Sequence, residues 1–268
     1  MLNKEEYVEQ EFFFRSFSEQ LKDGFSSQEI LAAMQNTLLS TTDLWKTIDF
    51  LITEIRHSGS IGEAMKHLPH YYTAFQTFIV RESEKAGGRF DFKIALKILE
   101  REAKYLSGDP VPQGIFFYQF ETLSRNRLGF DHGLEAISKD PIFDENWRNW
   151  INIVLRRQIG IIDLANLVYV RSSAYERTEE EKDAPLLFGD REGKIAHASR
   201  KKDPAFLFAA LARHLNYPAV PHQEKAKDQE NLVPLLKRRI DLLESKLQIL
   251  EEELHGGINL DRFYVKKN

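Results

Sequence analysis

Phe12-Phe13-Phe14-Arg15-Ser16-Phe17-Ser18-Glu19-Gln20-Leu21-Lys22-Asp23-Gly24-Phe25 is the stretch on which the reading of the fold turns. Phe13, Phe14, Phe17 and Leu21 stand at i, i+1, i+4 and i+8, which lines one face of a helix and does not suit the two-residue period of a strand. Gly24 closes the stripe, in the position where a helix end favours left-handed backbone. The pattern then recurs five times before Leu106. Ser26 or Ser27 caps a second helix that buries Ile30, Leu31 and Met34. Thr41 or Thr42 begins a third, with Leu44, Trp45, Ile48, Leu51, Ile52 and Ile55 inward, and Gly59 stops it. Ser60, with Glu63 three residues on, opens a short fourth helix at capping-box spacing, and Pro69 closes it. Tyr71 to Glu84 reads as the fifth and Asp91 to Leu106 as the sixth. The fold class expected is all-α: a six-helix bundle over residues 1–107, then a second helical region and a C-terminal coiled-coil helix.

Gly108-Asp109-Pro110-Val111-Pro112-Gln113-Gly114 reads as a turn-forming linker, and residues 115–222 as the second helical region. Phe116-Phe117-x-x-Phe120 through Gly129-Phe130 echoes Phe13-Phe14-x-x-Phe17 through Gly24-Phe25 with two extra residues. A degenerate repeat and a chance likeness between amphipathic helices both fit that echo. Trp147 to Tyr175 suits one or two helices, and the charge run Glu176 to Asp183 suits a solvated loop or frayed helix end. Pro204 to Leu215 has Asp203 as cap and Pro204 in the first position. Its apolar residues cover more than one face, and Pro218 and Pro221 follow it.

The glycine-punctuated order of the first block, above all Gly24, Gly59-Ser60 leading into Glu63-Ala64-Met65, and Glu84 to Gly87, resembles the cytoplasmic domain of type II secretion system protein F. The resemblance covers about the first two-fifths of the chain. It departs from the family around Gly87-Gly88, where there is an extra residue, and in having no transmembrane helices. It implies a helical scaffold that meets assembly ATPases and neighbouring platform proteins of a secretion or pilus-type machine. The residues that carry it are helix stops and crossing points rather than chemistry.

Residues 231–255 hold the clearest interaction signal. Val233, Leu236, Ile240, Leu243, Leu247, Leu250 and Leu254 alternate in steps of three and four, an a/d pattern lasting about three heptads. β-Branched Val233 and Ile240 at a, with leucine at d, favour a parallel pair. Arg239 and Lys246 at g would then face Glu244 and Glu251 at e of the partner helix. Homodimerisation through this helix is therefore expected; heterotypic pairing and folding back on the chain's own body are the alternatives. Residues 256–268 read as a tail.

Composition narrows the chemistry. The 268 residues contain no cysteine, which removes disulfides, thiolate metal sites and cysteine nucleophiles. The net charge of −4 does not suggest a dedicated nucleic-acid binder. Ile151 to Val170 is the most apolar run, but Arg156, Arg157 and Asp163 interrupt it. A span needs roughly 20 mostly apolar residues, and a mid-span charge costs about 3 kcal/mol, so no transmembrane insertion is expected and the location reads as cytoplasmic or peripheral to the inner membrane. Gly189-Asp190-Arg191-Glu192-Gly193-Lys194 lacks both the spacing and the following Ser or Thr of a phosphate loop, and reads as a glycine-bracketed turn. Glu63, His67 and His70 could begin a metal site, but Pro69 intervenes; Asp131-His132 diverge on any helix; there is no Gly-x-Ser-x-Gly elbow.

No catalytic, cofactor-binding or metal-binding residue is therefore assigned. Arg191, Lys194, Arg200, Lys201 and Lys202, with His197, form the most basic patch, read as a solvated loop before a helix and also as a candidate anion site. The function expected is a non-catalytic scaffold or adaptor acting on an unidentified protein partner. Two other readings stay open: an enzyme with dispersed catalytic groups, and a binder of nucleic acid or anionic membrane surface through residues 191–202.

Overall fold

The structure, a computed structural model, describes residues 1–38, 41–85, 87–88, 90–155, 163–177 and 184–223. The heptads of residues 231–255, the tail and most of the 176–183 charge run lie outside the described residues. The described part is all-α. It contains α1 (Lys4–Lys22), α2 (Ser27–Gln35), α3 (Leu44–Ser58), α4 (Ile61–Lys66), α5 (Ala74–Glu84), α6 (Phe92–Leu106), α7 (Pro112–Arg125), α8 (Phe130–Ser138) and α9 (Glu145–Asn149). Trp150–Leu155 continues α9 as a π-helical turn, and α10 (Leu164–Val170), α11 (Asp190–Ser199) and α12 (Pro204–Leu215) complete it. Among the described residues there is no strand; Ser172 and Phe188 form one isolated parallel bridge.

Local chemistry accounts for most of the boundaries. Ser26 accepts the Glu29 N–H while the Glu29 carboxylate accepts the Ser26 N–H at 2.8 Å, a closed capping box. Thr73 and Gln76 make a second one at the start of α5. Gly24 and Gly59 take left-handed backbone, with φ of 93° and 71°, and end α1 and α3 as the sequence suggests. Asp203 caps α12, with Pro204 in its first turn.

Other boundaries differ from those read in the sequence. Helix α1 begins nine residues before Phe13, at Lys4, because Asn3 caps it by accepting the Glu6 N–H. Helix α3 starts at Leu44 rather than at a threonine cap, and no side chain caps it. Tyr71 and Tyr72 lie in the turn before α5, both buried. Pro112 opens α7 rather than closing a linker, since a proline in the first helical turn forfeits no hydrogen bond. Residues 190–199, expected as a turn and loop, are helix α11 with Gly189 at its N-cap. Helix α12 ends on Asn216 at φ 55°, two residues before Pro218.

Helices α1 and α6 form the most extensive helix pair among the described residues and run antiparallel. Phe17 meets Phe92 edge-on at 5.8 Å, while Lys4 at the other end of α1 reaches Asp109 at 3.0 Å. One buried apolar cluster then runs from Tyr7 through Phe116, Trp150 and Phe188 to Val220, so helices on either side of residues 108–111 share one interior. Its second aromatic knot is Phe116, Phe117, Trp147, Trp150 and Phe188, with ring centroids 5.1–6.3 Å apart. In the echo between α1 and α7, Phe13, Phe14 and Phe17 and their counterparts Phe116, Phe117 and Phe120 are all buried, whereas Phe25 and Phe130 are exposed and the stop differs. Gly129 has φ −62°, and Arg127 carries the positive φ instead.

Gly62 fixes the crossing of α4 on α5. A Cβ there would stand 2.5 Å from Arg81 Cγ and 2.9 Å from the Arg81 backbone nitrogen. Part of that contact is with backbone, so the two helices would have to separate. Gly62→Ala is expected to destabilise the protein by about 1–3 kcal/mol, seen as a lower urea midpoint at unchanged slope. A midpoint equal to wild type would show that the helices do not cross this closely.

Candidate functional site

Three places concentrate chemistry. The first is a polar seam inside the core. Glu102 on α6 is fully buried, Gln119 on α7 is fully buried, and Asp140, just after α8, is 2% exposed. The Gln119 Nε2 group donates to Glu102 Oε1 at 2.8 Å and to Asp140 Oδ2 at 2.9 Å, so one carboxamide nitrogen joins two carboxyl groups. Asp140 also accepts the Ile142 N–H at 3.1 Å. On the α1 side, Gln76 Nε2 donates to Gln10 Oε1 at 3.2 Å, and Tyr71 Oη donates to Glu6 Oε2 at 2.8 Å. Glu6 Oε1 accepts the Asp43 N–H at 2.7 Å. Burial, then the neighbouring Asp140 charge, pushes the Glu102 carboxyl up to about 8, against hydrogen bonds from Gln119 and Gln76 that lower it. Burial raises Asp140 as well. Tyr7 is pushed up to about 12, mainly by burial and in part by these two acids.

The second place is a groove of about 1090 Å³ between the N-terminus, α4, α5 and α8, with Tyr7, Tyr71, His70, Arg81 and His132 among its walls. Glu102, Gln119 and Asp140 do not line it. Its charges are largely spent on one another. Arg81 holds Glu63 at 2.7 Å, Lys85 pairs with Glu82, and Lys139 pairs with Glu135 at 2.8 Å. Glu84 takes the N-terminus of α4: it accepts the Ile61 and Gly62 N–H groups at 2.7 and 2.8 Å and the Ser60 hydroxyl at 2.6 Å. The Ser60/Glu63 capping box read from spacing is thus half made. Ser60 accepts the Glu63 N–H at 3.1 Å, but the Glu63 carboxylate goes to Arg81; the Ser60 N–H is taken by Ser58 Oγ at 3.3 Å, and Glu84 accepts the next two N–H groups instead. Glu84 stands 24 residues from Ser60, where no local spacing rule reaches.

The third place is the outer side of α11 and α12. The basic residues singled out in the sequence do not act as one cluster. Lys194 pairs with Asp190 at 2.7 Å, and Arg200 stacks over Tyr169 at 5.0 Å while its guanidinium meets His197. The backbone N–H of Lys201 is held by Asp163 at 2.9 Å. Arg191, Lys201 and Lys202 are exposed. Beside Lys202 opens a shallow apolar groove of about 480 Å³ walled by Ile195, Ala198, Ser199, Phe206 and Ala210.

Glu63, His67 and His70 do not converge. Glu63 is bound to Arg81, and the His67 ring sits against Phe50 at 6.5 Å. Among the described residues no group of three histidine or acidic side chains is arranged to hold a metal ion. No described helix is long and apolar enough to cross a membrane. The chain matches no family model, no curated protein and no solved structure.

The seam has a pH consequence. The folded-state pKa of Glu102 lies above its unfolded value, so the native state keeps a proton that the unfolded chain releases. Stability on this account is greatest below the unfolded pKa and falls as pH rises towards about 8, above which it levels. Glu102→Gln keeps an acceptor for Gln119 and removes the titration. The variant is expected to match wild type near pH 5 and to exceed it by a few kcal/mol at pH 9, measured as the difference in Tm across that range. A constant difference between the two would mean that Glu102 does not retain its proton on folding.

Proposed function

We propose that the protein is a non-catalytic scaffold or adaptor that dimerises through the heptads of residues 231–255. In this reading residues 1–107 form a six-helix bundle similar to the cytoplasmic module of protein F, presented to a protein partner in a secretion or pilus-type assembly at or near the inner membrane.

The observation that carries the proposal is the unbroken a/d series from Val233 to Leu254, with opposite charges at g and e. Such a narrow seam suits a paired helix better than a helix laid on a globular body, which shows a wider stripe. The placement of the titratable groups supports the non-catalytic part. Acids with raised pKa values mark catalytic sites when they face a cleft. Here Glu102 and Asp140 sit behind the walls of the large groove, tied to a glutamine, where no substrate atom could reach them. The glycines and caps that carry the likeness to protein F serve helix crossing and helix ends, a packing role.

Light scattering tests self-association directly. The full chain at micromolar concentration is expected to show twice the monomer mass. A chain ended before Asn231, and the Leu243→Pro, Leu250→Pro double variant, are each expected to run as monomers with the helical signal of residues 1–223 intact. A monomeric full chain would overturn the dimer.

A further inference from the structure

No charged or hydrogen-bonding side chain occurs between Pro204 and Ala212. A helix apolar all round is ordinarily covered on every side. Helix α12 buries only Leu207, Phe208 and Leu211. Pro204, Ala205 and Ala209 face outward, and Phe206 is 66% exposed, the most exposed phenylalanine in the described structure. The groove beside Phe206 adds Ile195, Ala198 and Ala210 to the same surface.

The charges around this surface are one-sided. Residues 190–213 carry six cationic side chains and three anionic ones, in a chain whose net charge is −4. The three anions are engaged locally: Asp190 holds Lys194, Glu192 holds His214 at 3.0 Å, and Asp203 caps α12. Lys201 and Lys202 flank the N-terminus of α12 and Arg213 stands near its C-terminus, with Lys202 on the groove itself.

We propose that the outward face of α12, together with Ile195 and Ala198 of α11, seats on an anionic lipid surface. Phe206 enters the boundary between headgroups and acyl chains, and Lys201, Lys202 and Arg213 lie against the phosphates. An apolar helix bordered by cations answers both halves of such a surface. A nucleic acid would meet the cations but leave an aliphatic helix facing phosphate. A second copy docking on the same patch about a two-fold axis would bring the same cationic border, Lys201, Lys202 and Arg213, in from both sides.

The chain has no cysteine, so Phe206→Cys carries a single environment-sensitive fluorophore. In the full chain, that label is expected to shift to shorter wavelength with vesicles of phosphatidylcholine plus phosphatidylglycerol, and not with phosphatidylcholine alone. In vesicle flotation, Phe206→Ser is expected to weaken binding roughly tenfold or more. Lys201→Glu and Lys202→Glu should each weaken it at least about fivefold, with circular dichroism unchanged. Three results would overturn the proposal: equal partition to both vesicle types with no change in the label, binding of a random DNA duplex sensitive to the lysines but not to Phe206, or Phe206-dependent self-association without vesicle binding. Flotation reads lipid and light scattering reads mass, so this proposal and the dimer fail separately.

Discussion

One carboxamide nitrogen holds the interior together. Gln119 lies where α6, α7 and the turn after α8 converge, and it donates to a carboxyl group on each side. Two buried carboxylates cannot both stay charged around a single neutral donor, because each has lost its water and gained a like neighbour. Burial pushes both Glu102 and Asp140 up, the Asp140 charge pushes Glu102 up further, and a proton retained on Glu102 relieves the conflict. The remaining geometry follows. With Asp140 fixed, its other oxygen holds the Ile142 N–H. With Glu102 fixed on α6, the α1 helix packed along it brings Gln10 to Gln76 and Glu6 to Tyr71. Truncating one member of such a network strands the others without water.

The seam also adds direction to the packing of the aromatic core. Apolar contact is non-directional, and Phe13, Phe14, Phe116 and Phe117 could pack in several registers at little difference in free energy. Hydrogen bonds from Gln76, Gln119 and Tyr71 are directional and favour the register that brings their acceptors opposite them. Tyr118 Oη donating to the Ile98 carbonyl at 2.7 Å, and Tyr217 Oη donating to Glu121 at 2.9 Å, pin α6, α7 and the segment after α12 in the same way.

What was legible in the sequence was what lies within about one helical turn. The stripe of Phe13, Phe14 and Phe17, the stops at Gly24 and Gly59, and the caps Ser26 and Asp203 all depend on neighbours within about one helical turn, and they stand where spacing put them. The polar seam was not legible. Glu102, Gln119 and Asp140 are residue types that usually face water, and each finds its partner 17 to 21 residues away through tertiary packing. The Glu84 cap escaped for the same reason. Helix α11 departs from the expected turn because Gly189 and Gly193 have the composition of turn residues without that role. Gly193 instead allows the helix to press against Ser172 and Ala174, where any side chain would collide. The all-apolar stretch of α12 was visible as covering more than one face, but which face is left open depends on where Leu207, Phe208 and Leu211 are buried.

Net charge proves a poor guide to the surface. At physiological ionic strength a charge is felt over about 8 Å, so a partner senses the side chains it touches rather than a total summed over 268 residues. Much of the acidity here is internal or already committed. Glu102 and Asp140 are buried, Glu6 is bound to Tyr71 and Asp43, and Glu84 caps α4. On the α11 and α12 side the balance reverses within a single stretch of chain, beside a helix with no polar side chain from Pro204 to Ala212. A negative total therefore coexists with a locally cationic, apolar face. The weak affinity for polyanions expected from composition concerns the average surface and leaves that face untouched.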